Sequence, residues 1–187
     1  MPSGRPTTLS FEYVILALLV AGPKHGYELY KEMEAWQGLS EVWKLKQSML
    51  YADLNKLEKM GWVESMPPDL RYTPPRVNFE ITKEGKAALE AWLTSPVPKP
   101  RDIRPEFLTK LLVASRFGRD YTQHLLEAQR MMVKRWIQFE NSQAALGSAL
   151  SPEALMVLDF RTHWLNNVSE WLEDCQKAFD QQKTDFD

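Results

Sequence analysis

The stretch WKLKQSMLYADLNKLEKMG, which runs from Trp43 to Gly61, decides how the chain folds. Its apolar residues recur at three- to five-residue spacing, which is typical of one stripe along an α-helix; they are Leu45, Met49, Leu50, Leu54 and Leu57. The opposite side of the helix carries Lys46, Gln47, Tyr51, Asn55, Lys56 and Lys59. We expect Gly61 to end this helix, because a residue free to adopt positive φ is favoured there.

The outward face of this helix allows two interpretations. Near its start the outward side chains are hydrogen-bond donors or a flat ring, so the helix can enter a DNA major groove with its N-terminus first. The same pattern is also that of an ordinary amphipathic helix with a solvated face. The stretch alone leaves both open.

The flanking segments predict a winged helix-turn-helix. GPKHGYELYKEM (residues 22–33) reads as a turn followed by a helix, and WVES (residues 62–65) reads as a short strand. After a loop with four prolines, Val77, Phe79 and Ile81 alternate with polar residues, which indicates a half-buried strand. Thr82 is a suitable N-cap for the helix that follows. The fold class is therefore mainly α, with a small two-stranded β-wing.

In this order and spacing, four short segments make the chain resemble the PadR family of bacterial transcriptional regulators. They are HGYEL (residues 25–29), LYADL (50–54), LEKMGWV (57–63) and ITKEG (81–85). The later segment PEFLTKL (residues 105–111) is similar to the longer subfamily with a helical C-terminal dimerisation region. The resemblance implies a sequence-specific DNA-binding regulator, a repressor that acts as a homodimer on a palindromic operator.

Lys46 departs from the family pattern. The family usually has a small polar residue there, which would cap the helix. A lysine beside the positive end of a helix is mildly unfavourable unless an anion lies nearby. A DNA phosphate beside Lys46 is one explanation for a lysine at this position. A solvated lysine side chain is the other.

The candidate DNA contacts fall into two groups. For base edges the candidates are Gln47, Ser48, Tyr51 and Asn55. For phosphates they are Tyr27, Lys46, Lys56, Arg71 and Arg76. A packed ring is the alternative for Tyr27, and a solvated side chain is the alternative for each arginine.

Composition restricts the partners. The chain has 187 residues, 26% of them charged, and a net charge of −2, so a DNA-binding surface must be a local patch. The single cysteine, Cys175, excludes an intramolecular disulfide and fits a reducing cytoplasm. The apolar run VILALLVA (residues 14–21) is shorter than the ~20 residues of a membrane span. We therefore expect a cytoplasmic protein with no membrane partner.

Prolines between residues 94 and 105 predict a stiff, extended linker. It divides residues 1–95, the DNA-binding domain, from residues 96–187, a helical dimerisation domain. Two long amphipathic helices and a shorter one cannot easily cover one another's apolar faces, so we expect a homodimer. Its contacts are assigned to Trp136, Leu158, Leu165, Val168, Trp171 and Leu172.

The family resemblance also implies a small, commonly aromatic effector. Trp92, Trp136 and Trp164 are candidates to line its pocket, and packing in the core is the alternative for all three. The histidines show no metal-ligand spacing, and no nucleotide-binding or nucleophile motif is present, so we expect no enzyme, cofactor or metal. Two other functions stay open: a winged-helix module that binds proteins, and a small-molecule binding protein that does not bind an operator.

Overall fold

The computed structural model describes residues 10–44, 46–68, 76–144 and 150–181. The chain forms two compact units. The first unit comprises the residues up to Leu93 together with Arg104–Arg116. The second unit comprises Thr94–Ile103 and the residues from Phe117 onward. Residues 104–116 thus pack with the first unit, although the sequence assigned them to the helical domain. The functional division at residue 95 stays a prediction.

The first unit contains a winged helix-turn-helix. Its elements are α1 (Ser10–Leu19), β1 (Lys24–His25), α2 (Gly26–Ala35), α3 (Leu39–Val42), α4 (Gln47–Lys59), β2 (Val63–Ser65), β3 (Asn78–Ile81), α5 (Lys83–Thr94) and α6 (Leu108–Phe117). The second unit includes a 3₁₀ turn (Pro100–Asp102), α7 (Arg119–Ala144) and α8 (Pro152–Gln181), and a π-helical turn (Ile103–Phe107) leads into α6. The predicted mainly helical winged fold is confirmed.

The inner side of α4 is part of the core of the first unit. Leu50, Leu54 and Leu57 are fully buried, and α4 packs against α1 and α2. Met49, which the spacing placed on the same stripe, is 40% exposed. Leu45 lies outside the described residues. The inner and outer faces of α4 are therefore as predicted, except at the edge where Met49 lies.

Within the described residues, three antiparallel strands form a sheet in the order β1–β3–β2. The predicted hairpin pairs Val63 with Ile81 and Ser65 with Phe79. The additional strand β1 pairs Lys24 with Phe79. The sequence did not predict β1, because two residues are too few to show a period. Residues 69–75, the predicted tip of the wing, lie outside the described residues.

The end of α4 is joined tightly to the start of α5. Gly61 adopts φ +70°, as expected for the residue after a helix. The Thr82 hydroxyl donates to the Gly61 carbonyl (2.7 Å) and accepts from the Gly85 N–H (3.1 Å). A Cβ on Gly85 would lie 2.2 Å from the Trp62 carbonyl oxygen, so only glycine fits there.

The predicted linker is not extended. Val97 is fully buried and its N–H donates to Oε1 of Gln129 on α7 (2.8 Å). Ile103 is also buried, and short helical turns occupy residues 100–107. The prolines predicted a stiff, extended segment, but they gave no indication that the apolar residues between them would be buried.

Helices α7 and α8 pack against each other as an antiparallel pair. Ion pairs join Arg119 to Asp180, Arg130 to Glu173 and Arg161 to Glu140, so residues later in α7 meet residues earlier in α8. One chain buries Leu165, Val168 and Leu172 by itself. Contrary to the expectation from the sequence, these three residues therefore need no second chain to cover them. Their role as dimer contacts, with the half-buried Trp136, Leu158 and Trp171, stays a prediction.

A buried charge cluster joins α1 to α4. The Glu12 side chain is 4% exposed, and its Oε1 accepts from Lys56 Nζ at 2.6 Å. Burial and, to a smaller extent, the nearby Glu12 carboxylate together raise the pKa of Asp53, on α4, to about 6, although Lys56 opposes the shift. Two carboxylates thus share one ammonium group beside the core.

The burial of α4 yields a prediction about stability. Leu54→Ala should lower the free energy of unfolding by about 2–5 kcal/mol, because it removes a fully buried side chain and leaves a cavity. Met49→Ala is the matched control on the same helix, and it should cost under about 1 kcal/mol because Met49 is exposed. Urea unfolding measures both. Equal losses, or a larger one for Met49→Ala, would mean that the faces of α4 are reversed.

The charge cluster yields a prediction about pH. The folded state holds the Asp53 proton up to about pH 6, while the ordinary carboxyl value is 3.8. Unfolding therefore releases a proton between these values, and this group makes the protein less stable as pH rises through that window. Asp53→Asn should raise the urea midpoint at pH 7.5 and leave it nearly unchanged at pH 3.5. Glu41→Gln, at an exposed position on α3, should show no such difference. A lower midpoint for Asp53→Asn at pH 7.5 would contradict this.

Candidate nucleic-acid interface

The outward face of α4 is the centre of the candidate interface. Gln47, Ser48, Tyr51 and Asn55 are all exposed. Ser48, Tyr51 and Asn55 follow one another at three- and four-residue steps, and Gln47 lies one turn before Tyr51, so they share one face. The structure thus brings together the four candidate base contacts, opposite the buried leucines. Their contact with bases stays a prediction.

The N-terminus of α4 is positive and accessible. Lys46 is its N-cap residue, with an exposed side chain, and within the described part of the chain no side chain caps this end. The Lys46 carbonyl accepts from the N–H groups of Met49 (3.0 Å) and Leu50 (3.3 Å). The earlier amides of a helix have no partner inside it, and no acidic residue stands in the first turn. The end of α4 therefore favours an anion.

Gly26 allows the start of α2 to approach Tyr51 closely. A Cβ at Gly26 would lie 2.7 Å from Cε1 of the Tyr51 ring. The ring is 37% exposed, so this contact supports a tyrosine that still reaches the surface. The packing of Gly26 against Tyr51 had no sequence signal, because the two residues lie in different helices.

His25 caps α2 and uses the backbone of Tyr27. The His25 Nδ1 accepts from the Tyr27 N–H (3.1 Å), and the His25 N–H donates to Oε2 of Glu28 (2.9 Å). Histidine is not among the preferred N-cap residues, so the sequence did not predict this cap. The Tyr27 amide is therefore engaged, while its ring is 50% exposed. A phosphate contact by Tyr27 would come from its phenol.

The candidate phosphate contacts differ in their surroundings within the protein. Lys46 is exposed at the start of α4, and Arg76 is exposed just before β3. Lys56 is 36% exposed and forms the ion pair with Glu12, so a phosphate would compete with that carboxylate. Arg71 lies outside the described residues.

The three tryptophans proposed for an effector pocket differ in their surroundings. Trp92, in the first unit, is 7% exposed and stacks on Tyr13 with centroids 4.4 Å apart. Its indole N–H donates to Glu106 (3.3 Å). Trp136 on α7 and Trp164 on α8 are half-buried in the second unit. An effector site at these residues stays a prediction.

Two other kinds of feature are absent from the described ranges. Among those residues, no group of histidine, cysteine and carboxylate side chains is placed to hold a metal ion. None of the helices described there is both long and apolar enough to cross a membrane.

Comparison with known proteins gives consistent results. The sequence model of the transcriptional regulator PadR-like family matches residues 15–91, which include most of the winged helix-turn-helix. The negative transcriptional regulator PadR of Bacillus subtilis is 25% identical over 181 residues, which cover 90% of this chain and 97% of that protein.

Two solved structures are also similar. The crystal structure of Bacillus subtilis PadR in complex with operator DNA has 25% identity and a TM-score of 0.44, and the match covers 90% of this chain and 98% of that one. A transcriptional regulator from Clostridium thermocellum is 30% identical, with a TM-score of 0.38, over 43% of this chain and 75% of that one. The resemblance seen in the four short segments is confirmed, since residues 15–91 match the model of the PadR-like family, whose members are transcriptional regulators and not enzymes.

Proposed function

We propose that this protein is a repressor that binds a palindromic operator as a homodimer in the cytoplasm, with α4 in the major groove. The observation that carries the proposal is the division of α4 into two faces. Leu50, Leu54 and Leu57 hold it from behind, while Gln47 and Asn55 present amide groups outward. An amide side chain can pair with N6 and N7 of adenine, so this face suits base recognition.

The charge distribution supports binding through a few cations. The whole chain is slightly acidic, so affinity must come from local groups that neutralise phosphates. The N-terminus of α4 supplies the positive end of a helix together with the exposed Lys46. A phosphate there would remove the mildly unfavourable interaction of Lys46 with its own helix. The relative from Bacillus subtilis is a negative regulator, which favours repression over activation.

A homodimer is proposed through the helical unit. Early α8 presents Met156, Val157 and Phe160 at 74%, 58% and 70% exposure, and on α7 Phe139 is 58% exposed. Apolar side chains exposed together on long helices mark an interaction surface. A two-fold axis through it would present two copies of α4 to successive major grooves.

We also propose a small aromatic effector, as the family resemblance implies. The half-buried Trp136 and Trp164 are its better candidates, because Trp92 already stacks on Tyr13. Titration with phenolic and other aromatic compounds, followed by tryptophan fluorescence, tests this part separately.

The decisive experiment is selection from random duplex DNA by the full-length protein at low salt. Enrichment of a two-fold symmetric sequence supports operator binding. Failure to retain any duplex would instead favour a winged-helix module that binds proteins. Fluorescence quenching by a small aromatic compound, without DNA retention, would favour a small-molecule binding protein.

Two variants separate base recognition from phosphate binding. Gln47→Ala should cost about 1–3 kcal/mol on the selected duplex and little on random DNA, because an amide that pairs with a base carries sequence information. Lys46→Ala should weaken binding to both DNAs about equally, because a phosphate contact carries no sequence information. It should also reduce the slope of log affinity against log salt concentration by about one. We expect Arg71→Ala in the wing to behave like Lys46→Ala. If Gln47→Ala keeps its operator preference while Arg71→Ala loses it, the wing specifies the sequence and α4 does not.

The dimer surface has its own test. Met156→Asp combined with Phe160→Asp should convert the dimer to a monomer, because it places charges in an apolar contact. Helical content should not change, since both side chains are exposed in a single chain. Asn166→Asp adds a charge at an exposed position elsewhere on α8 and should leave the dimer intact. Sedimentation velocity measures the oligomeric state of each variant. A wild-type protein that is monomeric at micromolar concentration would refute the proposed assembly.

A further inference from the structure

We infer that Thr109, on α6, is a positioning residue for the N-terminal half of α4, and that it acts by holding the indole of Trp43. The inference rests on the proposed function, in which α4 reads bases. Trp43 is the C-cap of α3 and stands four positions before Gln47, the first residue of α4. Because Trp43 stands so close to Gln47 in the chain, whatever fixes Trp43 restricts where the chain can enter α4.

The hydrogen bonds around Thr109 are directional. The Trp43 indole N–H donates to Thr109 Oγ1 at 2.8 Å, and the Thr109 hydroxyl donates to the Pro105 carbonyl at 2.6 Å. Because the hydroxyl proton is directed at Pro105, the oxygen lone pairs remain for the indole. Thr109 is fully buried, so water cannot easily replace either bond.

Trp43 is also held from two other directions. Its backbone N–H donates to the Leu39 carbonyl at 2.9 Å, which closes α3. Its ring makes a T-shaped contact with the ring of Phe11 on α1, with centroids 6.4 Å apart. The bond to Thr109 completes the set, because it fixes how the ring is turned about its own side-chain bonds.

One face of α6 contacts the connection between α2 and α4 at Trp36, Gly38 and Trp43. A Cβ at Gly38 would lie 3.1 Å from Leu112 Cδ2, and the Arg116 guanidinium lies 3.6 Å from the centroid of the Trp36 ring. Thr109, Leu112 and Arg116 follow one another at three- and four-residue steps, so they share that face. Helix α6 thus supports the segment from Trp36 to Trp43.

The two ends of α4 are supported differently. The C-terminal end has bonds of its own, since the Ser65 N–H donates to Glu58 and Thr82 binds the Gly61 carbonyl. The N-terminal end carries Gln47 and Ser48 and follows directly from the segment that Trp43 anchors. Loss of the Thr109 bond should therefore loosen this end first. Base recognition should suffer more than phosphate binding, because bidentate pairing with a base needs closer placement.

The test compares Thr109→Val with Thr109→Ser in the full-length protein. Valine keeps the shape of the side chain and removes the hydroxyl, while serine restores it. Thr122→Val is the matched control, since Thr122 is also fully buried and its hydroxyl donates to a carbonyl four residues earlier, that of Gly118. Trp43→Phe removes the indole N–H from the other side of the bond. The measurements are affinity for the selected duplex and for random DNA, and amide hydrogen exchange along α4.

Thr109→Val and Trp43→Phe should each lose about tenfold in preference for the selected duplex, as expected for one buried hydrogen bond. Exchange should quicken at residues 47–50 more than at residues 56–59. Thr109→Ser and Thr122→Val should match the wild type in both measurements, and the Thr109→Val, Trp43→Phe double variant should be no worse than either single one.

Wild-type DNA preference and unchanged exchange in Thr109→Val would overturn the inference, as would equal losses in Thr122→Val. If the wild type enriches no duplex at all, the proposed function fails instead. The exchange comparison between Thr109→Val and Thr122→Val then still decides whether Thr109 positions α4.

Discussion

The burial of one side of α4 is the constraint on which the rest of the first unit depends. Leu50, Leu54 and Leu57 are withdrawn completely from solvent, and each such side chain contributes about 1.5–3 kcal/mol relative to an exposed one. A helix whose inner side is buried so completely does not depend on exposed side chains such as Gln47 and Asn55 for its stability. Those two positions are therefore free to carry polar groups, while Tyr51 still packs against Gly26.

Electrostatics impose a cost that hydrophobic burial must offset. Glu12 is withdrawn from water at the α1–α4 contact, and it is tolerated there because Lys56 reaches it. Burial and then the Glu12 carboxylate raise the pKa of the nearby Asp53, and the Lys56 charge does not fully offset them. If Lys56 turned toward a DNA phosphate, Glu12 would lose its partner. The outward cations thus divide into Lys46, which is exposed, and Lys56, whose use by DNA would weaken a contact inside the protein.

Much of the fold could be predicted from the sequence because it depends on local patterns. The faces of α4, the positive φ of Gly61, the Thr82 cap and the alternating strand at Phe79 all follow from the spacing or type of neighbouring residues. The unpredicted features depend on contacts between distant parts of the chain. The strand Lys24–His25 exists only because β3 lies beside it, and Gly26 is required by a ring in another helix. The four candidate base contacts could be named from the pattern of one helical face. The His25 cap and the ion pair of Lys56 have no such local pattern, so the sequence did not predict them.

The placement of α6 shows most clearly where a local pattern misleads. Prolines before Pro105 suggested that everything beyond them belongs to the helical unit. Instead Lys110 is buried beside Trp92, with its ammonium 5.1 Å from the ring centroid. Burial lowers the pKa of Lys110 to about 8, and the adjacent Glu106 carboxylate opposes this shift. A lysine is withdrawn from water only where surrounding groups compensate, and Glu106 with the ring supplies that compensation inside the first unit. The winged helix is therefore completed by a helix that lies beyond the proline-rich segment, and the connection leading into α4 packs against it.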